Sequence, residues 1–219
     1  MLSIEEAVKA RHSVRVYQKK SIPEDVIKQL NEFIEECNRE GNLHFQFLED
    51  AGNTFNRLLN KAMGLGSAPS VIACIGEDDP TLDSRIGYYG EKIVIFAQQL
   101  GLNTCWAGTY NKKNVKAAIA DNERLAIVIA IGYGENQGRV RKSKSVAQVI
   151  QGEEKDMPDW FIKGVETALL APTAINQQKF MFVLKDGEKV EIIDKGGVLS
   201  QIDCGIVKYH FEVGSGRKI

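Results

Sequence analysis

Arg11-His12-Ser13-Val14-Arg15 places two guanidiniums and a hydroxyl at alternate positions of the chain. In an extended segment side chains repeat every second residue, so Arg11, Ser13 and Arg15 would share one face. That face suits an anion. Planar guanidinium forks grip phosphate, and a small hydroxyl lets the backbone come close. Alone, the pattern also describes two solvated arginines on a surface strand, which is the commoner case.

Three further segments carry chemistry-bearing residues. In Ala171-Pro172-Thr173-Ala174-Ile175-Asn176-Gln177-Gln178, the proline stops a helix. Thr173, Asn176 and Gln178 then offer uncharged donors and acceptors for a heterocycle edge or a polyol chain. The plain alternative is a polar turn with an Asn cap. Gly101-Leu102-Asn103-Thr104-Cys105-Trp106-Ala107-Gly108-Thr109 has small residues around Gly108, which lets backbone N–H groups approach a flat ligand. No histidine lies near Cys105 in the sequence, so burial between Thr104 and Trp106 explains it better than nucleophilic chemistry. Finally, the basic run Arg139 to Lys144 is either solvated or the remainder of a phosphate clamp with Arg11 and Ser13.

These residues need elements to position them. Ser3-Ile4-Glu5-Glu6 is a capping box that starts a helix running to about Arg11. A second helix starts at Ser21-Ile22-Pro23-Glu24, with Val26, Ile27, Leu30, Phe33, Ile34 and Cys37 at helical spacing. Leu43 to Leu48 reads as a strand, Thr54 to Met63 as a helix and Ser70 to Ile75 as a buried strand. A long helix covers Asp83 to Leu100 and stops at Gly101. Asn114 to Ala120 reads as helix, Leu125 to Ile131 as strand, and a short helix ends at Val149.

After Gly152 the pattern starts again. Pro158, Phe161, Ile162, Val165, Ala168 and Leu169 match Pro23, Val26, Ile27, Leu30, Phe33 and Ile34. Every pair is 135 positions apart, and so are Phe45 with Phe180 and Phe47 with Phe182. An ungapped helix–turn–strand match favours internal duplication over chance likeness of two amphipathic helices. It divides the chain into a main lobe, 1–152, and a shorter repeat-like lobe, 153–219. The copies diverge at the turn, Cys37 to Asn42 against Ala171 to Asn176, where function is expected to sit.

A net charge of −1 and a pI of about 6.3 give no sign of a nucleic-acid or membrane partner. No apolar run approaches the roughly 20 residues of a membrane span. The N-terminal residues do not resemble a secretory signal. Cys37, Cys74, Cys105 and Cys204 are far apart, which predicts reduced thiols rather than a disulfide or zinc framework.

Together the four segments resemble the FMN-dependent nitroreductase-like family. Its Arg-x-Ser-x-Arg/Lys sequence is matched at Arg11, Ser13 and Arg15. Its Gly-Leu-x-Thr-Cys-Trp-x-Gly segment is matched at Gly101 to Gly108, and its Ala-Pro-Ser-x-x-Asn-x-Gln turn at Ala171 to Gln178, with threonine for serine. A basic segment followed by a Leu-Glu-Glu-Val-like helix is similar to Arg141 through Val149. The order resembles the subgroup that carries the Ala-Pro-Ser/Thr-x-x-Asn turn in its C-terminal half. In ordinary members the flavin lies at a homodimer interface, one subunit giving Arg-x-Ser and the other the turn. Here both halves occur once in one chain.

The resemblance implies an α+β fold, a mostly antiparallel sheet flanked by helices, arranged as a fused pseudo-dimer of two unequal lobes. It implies FMN as cofactor and NADH or NADPH as reductant, with a nitroaromatic, quinone or similar small molecule as acceptor. The protein would be cytoplasmic, and either a monomer or a weak homodimer. Arg11 and Ser13 would hold the FMN phosphate, helped by Arg141 and Ser143. His12 would reach the ribityl chain, and Arg15 the flavin N1 and C2 carbonyl. Pro172, Thr173, Ala174 and Asn176 would line the flavin from the other lobe. Trp106, Ala107 and Gly108 would flank it, with a backbone N–H of Ala107 or Gly108 donating to N5. Many members carry an acidic residue where this chain has Ala107. That departure leaves open a different reaction on the same fold, such as reductive dehalogenation or flavin used as substrate, and a non-catalytic flavin-binding or storage protein. A globular domain whose basic motif binds nothing is the remaining alternative.

Overall fold

The computed structural model describes residues 1–62 and 64–219. The capping box forms as expected, with Ser3 and Glu6 bonding each other's backbone N–H, and α1 runs Ile4–Ala10. Helix α2, Glu24–Gly41, follows Pro23 and buries Leu30, Ile34 and Cys37 along one stripe. Strand β1 is short, Gln46–Leu48, and α3 is Leu58–Ala62. The helix expected from Thr54 therefore begins later, and its end at Met63 lies outside the described residues. Strand β2 is Ser70–Glu77 and the long helix α4 is Leu82–Gln99, ending before Gly101 at φ +80°. Strands β3, Asn103–Ala107, and β4, Glu123–Gly132, follow.

These four strands form one antiparallel sheet in the order β1-β2-β4-β3. Alternate side chains of β2 and β4 enter two separate cores, as the period of two requires. Ile72, Cys74, Ile127, Ile129 and Ile131 pack toward the helices. Val71, Ala73, Val128 and Ala130 pack on the other face with Val14, Tyr17 and Phe55.

The remainder is helix α5, Asp159–Ala168, the hairpin β5–β6 (Phe180–Lys185, Lys189–Asp194), and helix α6, Ser200–Ser215. The hairpin turns through Asp186 and Gly187, both at positive φ, the pair such turns favour. Helices α4 and α6 cross at two glycines. A Cβ on Gly87 would strike the Ile202 carbonyl, and one on Gly205 the Ser84 carbonyl, so neither helix could approach with larger residues. The helix-side core is continuous from Ile22 to Phe211, and thus joins residues before and after 152.

The two segments related by the 135-residue offset form the same elements in the same register. Pro23 and Pro158 both sit extended at a helix N-cap, with ψ 147° and 149°. They part at the helix end, because α5 stops at Ala168 ahead of Pro172 whereas α2 continues to Gly41. The helix expected over Asn114–Ala120 does not form. A single 3-10 turn covers Lys112–Asn114. Beyond it Gln46 takes both backbone groups of Ala118, and Glu123 accepts from the Ala120 N–H. Side chains thus satisfy the donors and acceptor that a helix would have used. Helix α6 has no counterpart in the sequence reading.

Candidate functional site

Residues 11–17 run extended beside β3. Ser13 bridges Thr104 in parallel, and the Val14 N–H donates to the Thr104 carbonyl at 3.0 Å. Val14 and Tyr17 are buried, and the Tyr17 hydroxyl donates to the Val14 carbonyl at 2.7 Å. Ser13 and the exposed Arg15 are left facing outward on one side, as alternation predicts.

The opposite wall is the turn after α5. It is strained, with Ile175, Asn176 and Gln178 at φ 47°, 55° and 45°. A β-branched residue rarely occupies that region, and Ile175 is 86% exposed, so its own packing does not hold it there. Polar bonds do. Asn176 Nδ2 donates to the Lys142 carbonyl at 2.9 Å, and the Gln178 N–H donates to Thr173 Oγ1 at 3.1 Å. Gln178 Oε1 accepts from the Lys144 N–H at 2.8 Å. The turn is therefore tied to the basic segment 139–144.

Between these walls lie two adjoining cavities. The larger, about 600 Å³, is polar and lined by Ser13, Arg15, Arg139, Arg141, Thr173 and Asn176 among others. Among the described residues no acidic side chain lines it. The second, about 390 Å³, is mainly apolar, with Trp106, Ala107, Gly108, Leu199, Ile202 and Ile206 on its walls. Ser13, Arg15, Pro172, Thr173 and Ile175 belong to both, so the space is continuous. Both volumes lie in the ordinary range for cofactor sites, roughly 300–1,000 Å³.

Arg11 is placed otherwise than the resemblance implies. It is 3% exposed and lines neither cavity. Its Nη2 donates to the Leu170 carbonyl at 3.3 Å, and its Nε lies 3.5 Å from Glu91 Oε1 without a hydrogen bond. Glu91, fully buried, also accepts from Trp106 Nε1 at 2.8 Å and contacts His210 Nε2 at 2.8 Å. Arg11 therefore points inward, beside the Glu91 carboxyl. Burial, and next the charge of Arg11, push the Arg141 guanidinium down to about 10. Cations crowded behind a polar cavity that lacks acids make a donor set for an anion.

His12 and Ser143 also line neither cavity. His12 Nδ1 contacts the Ala10 carbonyl at 3.0 Å. Ser143 donates to the Leu169 carbonyl and accepts from Gln178, supporting the turn from behind. Pro172, Thr173, Ala174 and Asn176 do reach the site. All four cysteines are free thiols, and burial raises that of Cys105. Sequence reasoning missed the wall supplied by α6, namely Ile202, Asp203 and Ile206. Their i, i+4 spacing was the available signal. Among the described residues no group of side chains could hold a metal ion, and no helix is long and apolar enough to cross a membrane.

Comparison with known proteins supplies the family. Residues 3–215 match the family described as "Putative TM nitroreductase". Among solved structures, a "putative nitroreductase" from Thermotoga maritima MSB8 superposes with a TM-score of 0.70 at 24% identity, covering 97% of this chain and 83% of that one. A nitroreductase family protein from Streptococcus pneumoniae TIGR4 gives 0.56 at 15% identity, covering 69% of this chain and 100% of that one. A Clostridium difficile R20291 protein named an FMN-dependent nitroreductase gives 0.50 at 16% identity, covering 65% and 92%. No curated protein matches. The family match spans nearly the whole sequence, and the α+β architecture is the one these structures share: the chain belongs to this nitroreductase family.

Proposed function

We propose that the chain is an FMN-dependent oxidoreductase, taking hydride from NADH or NADPH and passing it to a small-molecule acceptor such as a nitroaromatic or quinone. The observation that carries this reading is the continuous cavity, cationic at one end and apolar at the other, with both walls from one chain. Such a space fits an elongated ligand with an anionic tail and a flat ring system. Ser13, Arg139 and Arg141 would hold the phosphate, and Thr173 and Asn176 the polyol chain. Trp106 and the α6 residues Ile202 and Ile206 would exclude water from the ring system. Arg15 belongs to both cavities, where its charge would offset negative charge that reduction places on the ring. At Gly108 a Cβ would come within 2.8 Å of Leu199, so glycine keeps the backbone N–H of this edge approachable. FMN, when bound, supplies hydride transfer at its N5; the protein supplies position and electrostatics.

Purified protein incubated with FMN tests the reading. Stoichiometric flavin retention, bleaching by NADH or NADPH without oxygen, and reoxidation by a nitroaromatic or quinone are expected. A retained flavin that neither nicotinamide reduces would select the storage reading, for which Ala107 is the motivating departure.

A further inference from the structure

The strained turn needs a partner on α6. Asp203 is 6% exposed and lies on the apolar cavity. Its Oδ1 accepts from the Ala174 N–H at 2.9 Å, and its Oδ2 from the same N–H at 3.1 Å and from Gln177 Nε2 at 2.8 Å. Gln177 Nε2 also donates to the Val198 carbonyl at 2.8 Å. These bonds reach the turn next to Ile175. They also reach the start of α6, where Leu199 is itself at φ 56°. One carboxylate thus joins two unfavourable backbone segments that both wall the cavity.

We propose that Asp203 is a positioning residue of the site: it latches the 173–177 turn onto α6 and so governs how firmly the cavity closes on its ligand. The ligand named here rests on the FMN reading; the latch does not.

The charged and titratable groups around Asp203 are few. Asp194 ends β6, Cys204 is its neighbour on α6, and Arg15 lines the same cavity. Asp194 is engaged by Ser200, Gln201 and the Gly196 N–H. Burial lifts the Asp203 carboxyl from 3.8 to about 6, while the bonds from Gln177 and Ala174 oppose the rise and Asp194 adds to it. The sign follows from linkage. A closed turn that raises the carboxyl binds its proton more tightly than an open, hydrated one. Closure therefore strengthens as pH falls through about 6, and this gain is complete below about 4. At neutral pH the buried charge works against closure.

Hydrogen exchange on the ligand-free protein tests the latch without depending on FMN, whose phosphate also titrates near pH 6. With intrinsic rates corrected, residues 172–178 of the wild type should be about tenfold better protected at pH 5 than at pH 7.5. Asp203→Asn keeps an acceptor for Ala174 without the charge, and should give a flat profile at the protected level. Asp203→Ala should lose protection at both pH values and, in an FMN titration, bind about tenfold more weakly. A flat wild-type profile, or an Asn variant that titrates like the wild type, overturns the proposal. If the wild type binds no FMN, the proposed function fails, and the exchange result still decides the latch.

Discussion

Arg11 carries its charge into the protein interior, where Glu91 and the Leu170 carbonyl receive it. Its removal should therefore be felt first as instability. Arg11→Ala takes the guanidinium from beside buried Glu91 and leaves the Leu170 carbonyl without its donor, and should lower unfolding free energy by about 1–3 kcal/mol in urea titrations. Arg141 lines the polar cavity itself. Arg141→Ala should leave the midpoint of unfolding nearly unchanged and weaken FMN binding roughly ten- to hundredfold, the loss of one charge-assisted contact. Equal loss of stability in the two variants would contradict this division of labour. Cys105 is buried, and its thiol is held neutral by that burial. Cys105→Ser should bind FMN and be reduced by nicotinamide as the wild type is; loss of reduction with FMN still bound would revive thiol chemistry. Both arginines were visible in the sequence as cations at suggestive spacing. Which one faces inward was not, because that depends on Glu91, a residue 80 positions away.

At the scale of elements, the site depends on how closely α6 approaches α4. Gly87 and Gly205 permit the crossing, and the crossing brings Ile202, Asp203 and Ile206 to the cavity. Gly205→Ala puts a methyl against the Ser84 carbonyl, backbone that cannot rotate away. A cost of about 1–3 kcal/mol is expected, read as a lowered melting temperature together with weaker FMN retention. Wild-type stability in this variant would mean the helices can separate without loss. The sequence disclosed the elements whose signals are local: the capping box at Ser3, the proline before α2 and α5, the apolar runs of β2 and β4. It misled over Asn114–Ala120, where apolar residues at helical spacing meet Gln46 and Glu123, which occupy the backbone groups instead.

At the scale of the molecule, residues on both sides of position 152 share one core, and both walls of the cavity come from one chain. We infer a fused pseudo-dimer carrying one site. The 135-residue register, kept at Pro23 and Pro158 and at β1 and β5, supports duplication. The two segments differ at the Pro172–Gln178 turn, which follows α5 and has no equivalent after α2. Native mass measurement with flavin quantitation should give one FMN per chain, and dilution to monomer should not release it. Two flavins held only by an obligatory dimer, each bridging chains, would refute the fusion.

By itself the sequence determined the family motifs, the cationic character of the site and the register of the repeat. These are written in residue type and local spacing, which the chain keeps however it folds. Tertiary structure alone decided which cations face the cavity, that α6 completes the wall, and that a carboxylate on α6 restrains the strained turn. Those outcomes depend on burial and on contacts between residues far apart in the chain. The desolvation that lowers the Arg11 guanidinium and raises Asp203 exists only once the core has closed.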